Sequence, residues 1–280
     1  MFCCIASDLD GTLLNDDKKI SSTNKQTLQS LTDKHLVFAS GRAIENMFFI
    51  GDELGGSREY YMIGYNGAKC IRYSDKQTLF HINLEPQVSK QLLAFMKKHS
   101  IFFTIYTSQG VFAAPINEEE HKQRTLILQS FTGVLIELVE DLDSFLDCEI
   151  ILGQVICNTE EEADQYVALL KQHFASHMVS IIKSHCSNST HKQFYVEVLN
   201  PVVNKGFALK KLCSEVLMIN HQEVIAFGDG ENDLEMLEHA GHSICVKNAC
   251  EKAKLVAKKV SDLTNHEDAV AHELVKICQL

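Results

Sequence analysis

Two pairs of aspartates stand far apart in this 280-residue chain, Asp8 with Asp10 and Asp229 with Asp233. The first pair ends a short apolar run over residues 2–7 and is followed by Gly11-Thr12. An apolar run of this length entering polar, Gly-containing sequence predicts a buried strand that runs into a loop. Side chains alternate along a strand, so Asp8 and Asp10 project from the same side where it ends. Two carboxylates this close repel unless a cation or a shared proton relieves them. The second pair lies in Gly228-Asp229-Gly230-Glu231-Asn232-Asp233, after another apolar run at 224–227. Ser40 follows a third such run, and Lys205 opens a predicted helix.

Together these groups suit phosphoryl transfer. A carboxylate can attack phosphorus and form an aspartyl-phosphate, and a second one can protonate the leaving oxygen and later activate water. Bringing carboxylate and phosphate together calls for a hard divalent cation such as Mg²⁺, whose oxygen shell Asp229 can complete. Lys205 offers a positive charge and free helix N–H groups, and Ser40 a neutral donor, to a phosphoryl oxygen. A calcium loop fails on spacing: the twelfth position is Lys19 counted from Asp8, or Ala240 counted from Asp229, rather than Glu. GDGEND also lacks the third Gly of a dinucleotide fingerprint. His173 with His177, and His239 with His242, have no third ligand in view and read as structural residues.

These groups need elements to carry them. Apolar runs at 36–39 and 61–65 predict two more short strands, ending in Ser40-Gly41-Arg42 and Asn66-Gly67, with helices at 20–34 and 43–54 between strands. A hairpin follows at 70–73 and 78–82. After residue 205 the same rhythm returns: a helix to about 217, the strand at 224–227, a helix to 239, strands at 243–246 and 259–260, and a last helix from 267. This βαβ order predicts a doubly wound α/β core with a mostly parallel sheet, whose strand carboxyl ends carry the ligand site. Residues 84–201 read as an inserted α+β unit, giving a core of residues 1–83 and 202–280. Within the insert, Thr159 and Glu162 form a capping-box signature, and residues 126–131 fit either helix or strand. The polar stretch 185–192 is a candidate for substrate contacts.

Composition narrows the partners. Lys and Arg total 26 against 37 Asp and Glu, a formal net charge of −11, which argues against nucleic acid or an anionic membrane surface. The ten cysteines are scattered without a CxxC, as expected of reduced thiols in a cytoplasmic protein. The apolar start stops at Asp8, unlike a signal peptide, and no apolar run reaches membrane-spanning length.

DLDGTLL, the strand ending in SGR, NKG and GDGENDLEML occur in the order of the four motifs of the haloacid dehalogenase superfamily, which the chain resembles over essentially its whole length. The NGA after the third strand, the position of the insert and the KNA…NHEDAVA tail resemble its Cof-like subfamily. The resemblance implies that Asp8 is the nucleophile and Asp10 the acid/base. It places Mg²⁺ on the side chains of Asp8 and Asp229 and the backbone carbonyl of Asp10, with Asp233 in support. Ser40 and Lys205 would hold the phosphoryl group, with Arg42, Asn66 and Asn232 in the same pocket. The insert would be an α/β cap. The tail departs from the subfamily at Lys247 and Ala269, where Gly is usual. The expected protein is a Mg²⁺-dependent phosphatase of a small phosphorylated metabolite, sugar phosphates first. A phosphosugar mutase and a non-catalytic phosphometabolite-binding protein are the rivals. The first would need a grip on a second phosphate, and residues 84–201 hold a single arginine, Arg124.

Overall fold

The computed structural model describes residues 2–55, 59–115, 117–187 and 192–279, which divide into two compact units, Met1–Phe80 with Asn204–Leu280 and His81–Val203. The predicted turns at 84–86 and 200–201 both fall inside the second unit. Its backbone explains why: Leu84 N–H donates to the Ile150 carbonyl, and the Asn200 side chain donates to the Asn83 carbonyl.

In chain order, the first unit begins with β1 (Cys4–Asp8), α1 (Ser22–Ser30), β2 (His35–Ala39), α2 (Phe48–Leu54), β3 (Tyr60–Gly64), β4 (Lys69–Arg72) and β5 (Thr78–His81). The second unit contains α3 (Pro86–Lys98), β6 (Phe103–Thr107), β7 (Val111–Ala113), α4 (Glu118–Thr132), β8 (Ile136–Leu138), β9 (Ile150–Cys157), α5 (Glu160–His173), β10 (Ser180–Ser187) and β11 (Lys192–Leu199). The chain then returns with α6 (Lys205–Lys211), β12 (Val224–Gly228), α7 (Leu234–His239), β13 (His242–Cys245), α8 (Glu251–Val256), β14 (Lys259–Val260) and α9 (Ala269–Cys278).

The first unit's sheet has the order β14-β13-β12-β1-β2-β3-β4-β5. Strands β14 to β3 pair in parallel, and β4 turns back antiparallel on β3. From β1 the chain winds outward through β2 and β3; after α6 it restarts at β12, on the other side of β1, and winds the opposite way. The point of reversal lies between β1 and β12, where a doubly wound sheet opens its ligand crevice. Alternation buries both faces. Cys4, Ala6, Val37, Ala39, Ile63, Val224 and Ala226 pack with Ala208, Leu209, Met236, Leu237 and Ala253 of α6, α7 and α8. Ile5, Leu36, Phe38, Met62, Ile225 and Phe227 are buried on the opposite side, the side left to α1, α2 and α9. Those helices are tied to one another: Gln29 donates to the Leu54 carbonyl, and Ala271 N–H donates to Asn24 Oδ1.

The helices are shorter than the apolar periodicity suggests. The 43–54 segment opens with a 3₁₀ turn at Ile44–Met47 before α2, and the 205–217 segment changes from α6 to a π-helical turn over Leu212–Leu217. The ambiguous 126–131 stretch lies within α4.

The second unit's sheet runs β10-β11-β9-β6-β7-β8, antiparallel except for β7 beside β8. One face packs Phe103, Ile105, Val155, Phe194, Val196 and Val198 against Leu92, Phe95 and Met96 of α3 and Ala163 and Leu170 of α5. The alternate face mixes the polar Thr104, Tyr106, Gln154, Gln193 and Glu197 with the apolar Leu152, Ile156 and Leu199, all of them buried. There the Tyr106 hydroxyl donates to Gln154 Oε1 at 3.1 Å, and the Gln154 amide donates to Glu197 Oε1 at 3.3 Å. The Thr159 cap holds, accepting from Glu162 N–H, but the Glu162 carboxylate reaches the N–H of Asn158 rather than of Thr159. His173 stacks on Phe95 at a ring separation of 4.5 Å rather than pairing with His177. Of the candidate stretch 185–192, residues 188–191 lie outside the described residues.

Candidate active site

Every predicted strand-end residue arrives at the carboxyl edge of the parallel sheet: Asp8 ends β1, Ser40 follows β2, Asn66 follows β3 and Asp229 follows β12. Between them the backbone is drawn tight. Ser40 N–H donates to the Ile63 carbonyl, and Asn66 N–H donates to the Ser40 carbonyl. Asn66 sits in the left-handed region at φ 55°, which Asn tolerates better than most residues. Gly67, at φ 110°, brings this turn against the start of α6, where a Cβ would stand 2.3 Å from the Asn204 carbonyl oxygen. Asn204 caps α6 by accepting from Phe207 N–H, and so fixes where Lys205 begins.

Lys205 is the hub. Its side chain is 1% exposed, and its Nζ donates to Asp8 Oδ1 at 2.6 Å and to Asp233 Oδ1 at 2.7 Å. Burial disfavours its charge, but the two carboxylates outweigh that and hold its pKa above the ordinary lysine value. Asp233 is completed on the other side: Oδ2 accepts from the N–H groups of Asp229 and Gly230 at 3.0 and 2.9 Å. Both Asp233 oxygens are therefore engaged by protein groups, and the residue ties Lys205 to the β12 loop.

One ligand oxygen from each of Asp8, Asp229 and Asp233 lies within 4.8 Å of the others. Burial pushes the Asp8 carboxyl well above the usual carboxylate range against the pull of Lys205, with Asp233 and Asp229 adding to the rise. Asp229 is raised too, by burial first and then by Asp233, although Thr12 Oγ1 donates to its Oδ1 at 2.7 Å. A cluster of hard oxygen donors short of positive charge is a fit for a small divalent cation. The carboxylate oxygens left for it are Oδ2 of Asp8 and of Asp229. Asp233 would support such an ion through Lys205 and the Asp229 backbone.

Asp10 is handled differently. Burial alone would raise its pKa, but Arg42 grips it with Nε and Nη2 at 2.6 and 2.7 Å, Lys18 adds a contact at 2.9 Å, and the carboxyl is held at about 2. Arg42, expected to line the phosphate pocket, is thus committed to Asp10 and lies over the Phe49 ring. Ser40 Oγ accepts from Arg42 N–H, which leaves its proton for another acceptor. Asn232 donates to Asn66 Oδ1 at 3.1 Å, so these two residues meet across the mouth. Lys18 carries no spacing signal in the sequence, and Thr12, though within DLDGTLL, shows no partner there; the folded loop brings them to Asp10 and Asp229.

Among the described residues no helix is long and apolar enough to cross a membrane. A profile of the haloacid dehalogenase-like hydrolase family matches residues 5–274. The chain is 27% identical over 286 residues to the 5-amino-6-(5-phospho-D-ribitylamino)uracil phosphatase YitU of Bacillus subtilis, covering 96% of this chain and 95% of that one. Among solved structures, TM0651 from Thermotoga maritima superposes with a TM-score of 0.81 at 27% identity, covering 99% of this chain and 97% of that one. The subclass IIB sugar phosphatase BT4131 shares the fold with a TM-score of 0.72 at 21% identity, over 99% of this chain and 100% of its own. The chain belongs to the haloacid dehalogenase-like hydrolase family, as a phosphatase of its Cof-like kind.

Proposed function

We propose that this phosphatase hydrolyses a small phosphorylated sugar or polyol, with Mg²⁺ as cofactor and an aspartyl-phosphate on Asp8. The observation that carries the reading is Asp8 itself: a buried carboxylate at the sheet's reversal point, oriented by Lys205 and faced by Asp229. Bound Mg²⁺ would supply the positive charge that lets Asp8 and a phosphate dianion approach. Lys205 fixes the orientation of the Asp8 carboxylate through Oδ1. The Ser40 hydroxyl proton and the N–H groups of the loop after β1 would receive the phosphoryl oxygens. Asp8 attacks phosphorus, the P–O bond to the leaving group breaks, and the leaving oxygen takes a proton from Asp10. Water, deprotonated by Asp10, then attacks the phosphorus of the aspartyl-phosphate and restores Asp8. To act as the acid, Asp10 must first be released from Arg42 and Lys18, since both favour its anion.

The second unit is read as the cap. Tyr106, Gln154 and Glu197 of this unit are buried and bonded to one another, and this reading makes their sheet face the candidate for recognising a hydroxylated leaving group. The ribityl phosphate named for the relative YitU is of that class. Gln154→Leu should raise KM for a polyol phosphate and leave KM for an aryl phosphate unchanged; equal effects on both would remove this face from recognition. The mutase reading loses support because Arg124 is committed to the Ile156 carbonyl and Glu162. The central test is Asp8→Asn: it should abolish release of phosphate from an aryl phosphate while the circular-dichroism spectrum is retained. Chelating the divalent ion should silence the wild type reversibly.

A further inference from the structure

The tail motif, with Asn248 and Asn265, has no role in the chemistry above, yet it reaches the loop that carries Asp8 and Asp10. After Leu9, whose carbonyl accepts from Thr12, Leu13 and Leu14 N–H in one tight turn, three loop carbonyls are each met by an asparagine amide. Asn248 Nδ2 donates to the Gly11 carbonyl at 2.8 Å, Asn24 Nδ2 to Leu13 at 3.2 Å and Asn265 Nδ2 to Leu14 at 2.8 Å. Two of these side chains are also held at their own oxygens. Asn248 Oδ1 accepts from Asn265 N–H at 3.0 Å, and Asn24 Oδ1 from Ala271 N–H at 2.9 Å. The three come from separate stretches of chain: α1, the loop after β13, and the turn before α9.

We propose that these asparagines form a clamp that holds the Asp8–Leu14 loop in its working conformation, and that Asn248 is a positioning residue for phosphate hydrolysis. This rests on the function proposed above. Gly11 is the loop's least restrained residue. It sits at φ 83°, where a Cβ would stand 2.6 Å from Asp229 Oδ2, so no other residue type fits without displacing that carboxylate. Only an external partner can then fix the Gly11–Thr12 peptide. Asn248 takes its carbonyl, while Thr12 at its other end donates to Asp229 Oδ1. Turning that peptide would swing Thr12 off Asp229 on one side and move the Asp10 backbone on the other. Asn24 and Asn265 are buried and serve the fold as well, whereas Asn248 is exposed, so its removal separates positioning from folding.

The test uses the full chain with Asn248→Ala and Asn248→Gln, an aryl phosphate as substrate, and hydrogen–deuterium exchange over residues 8–16. Asn248→Ala should lower kcat about tenfold with KM held within about twofold, as expected for loss of one orienting hydrogen bond. Amide exchange at Thr12 to Leu14 should quicken about tenfold while the melting temperature stays within about 2 °C. Asn248→Gln, which keeps the amide donor, should recover part of both. Retention of kcat within about twofold, or unchanged loop exchange, overturns the clamp. Wild-type protein that releases no phosphate would instead sink the proposed function, and the exchange comparison would still decide the clamp.

Discussion

Replacing Lys205 with Met is the perturbation with the largest effect that the geometry supports. Lys205 is 1% exposed, and the side chains of its partners Asp8 and Asp233 are 6% and 1% exposed. Met has a similar volume, so packing changes little; what is lost is the ammonium that bridges two buried carboxylates. Removing one member of a buried ion pair leaves uncompensated charge and costs about 3–5 kcal/mol. For a unit of this size that is roughly 6–20 °C in melting temperature. The pH dependence gives a second check. Lys205 is what pulls the raised Asp8 pKa down, so without it Asp8 should bind a proton still more readily in the folded state, and the variant gains stability relative to wild type as pH falls. The gap should therefore narrow as pH falls. Adding Asp233→Asn should restore part of the loss, because the amide oxygen still accepts from Asp229 and Gly230 N–H. Urea unfolding of wild type, the single variant and the double variant measures all three. A Lys205→Met protein within about 1 kcal/mol of wild type, with no pH dependence of the difference, would refute the idea that Lys205 neutralises this cluster.

Asp8→Asn should melt no lower than wild type in chelator, and Mg²⁺ should stabilise wild type but not the variant. A raised Asp8 pKa means its charge opposes folding above the unfolded value, and a bound cation relieves that; equal Mg²⁺ shifts in both proteins would contradict this. Arg42→Ala should move the alkaline limb of kcat/KM upward by about one pH unit, because the first step needs Asp10 protonated and Arg42 helps hold Asp10 at about 2. The same pairing adds stability above the unfolded carboxylate pKa that is lost as pH falls toward about 2, so the variant should also unfold at a higher pH on acid titration. Gly67→Ala should destabilise by about 2–4 kcal/mol and lower kcat, since its Cβ would strike the Asn204 carbonyl that begins the Lys205 helix. A well-folded, fully active Gly67→Ala protein would show that this close approach is not needed.

The doubly wound core was readable in the sequence because its signals are local. Short apolar runs give the strands, and polar residues just past 8, 39, 64 and 228 mark the ends that share one edge. The reversal of winding at β1 and β12 also follows from element order. What local pattern could not carry was the pairing of charges. Asp233, expected in support of the metal, lies in the carboxylate cluster with Asp8 and Asp229, but the sequence does not show that two backbone N–H groups and Lys205 also reach its oxygens. Arg42, beside Ser40 in the chain, looks like a phosphate group's partner, yet its guanidinium reaches back 32 residues to Asp10. Lys18 lies in a run of charged residues and carries no periodic signal at all. The Asn248 and Asn265 contacts join positions over 230 residues apart, so only the fold brings them to the loop.

The claim on which the rest depends is that Asp8 is the nucleophile. Wild-type enzyme in excess over an aryl phosphate, turned over once with Mg²⁺ in heavy-oxygen water, separates the two routes by mass spectrometry of the peptide holding Asp8. Because the second step breaks phosphorus–oxygen rather than acyl bonds, the informative species is the acid-quenched intermediate. A nucleophilic Asp8 should carry a transient phosphoryl group, with heavy oxygen entering only the released phosphate. Full turnover with that peptide never phosphorylated at any quench time, and Asp8→Asn still active, would contradict it.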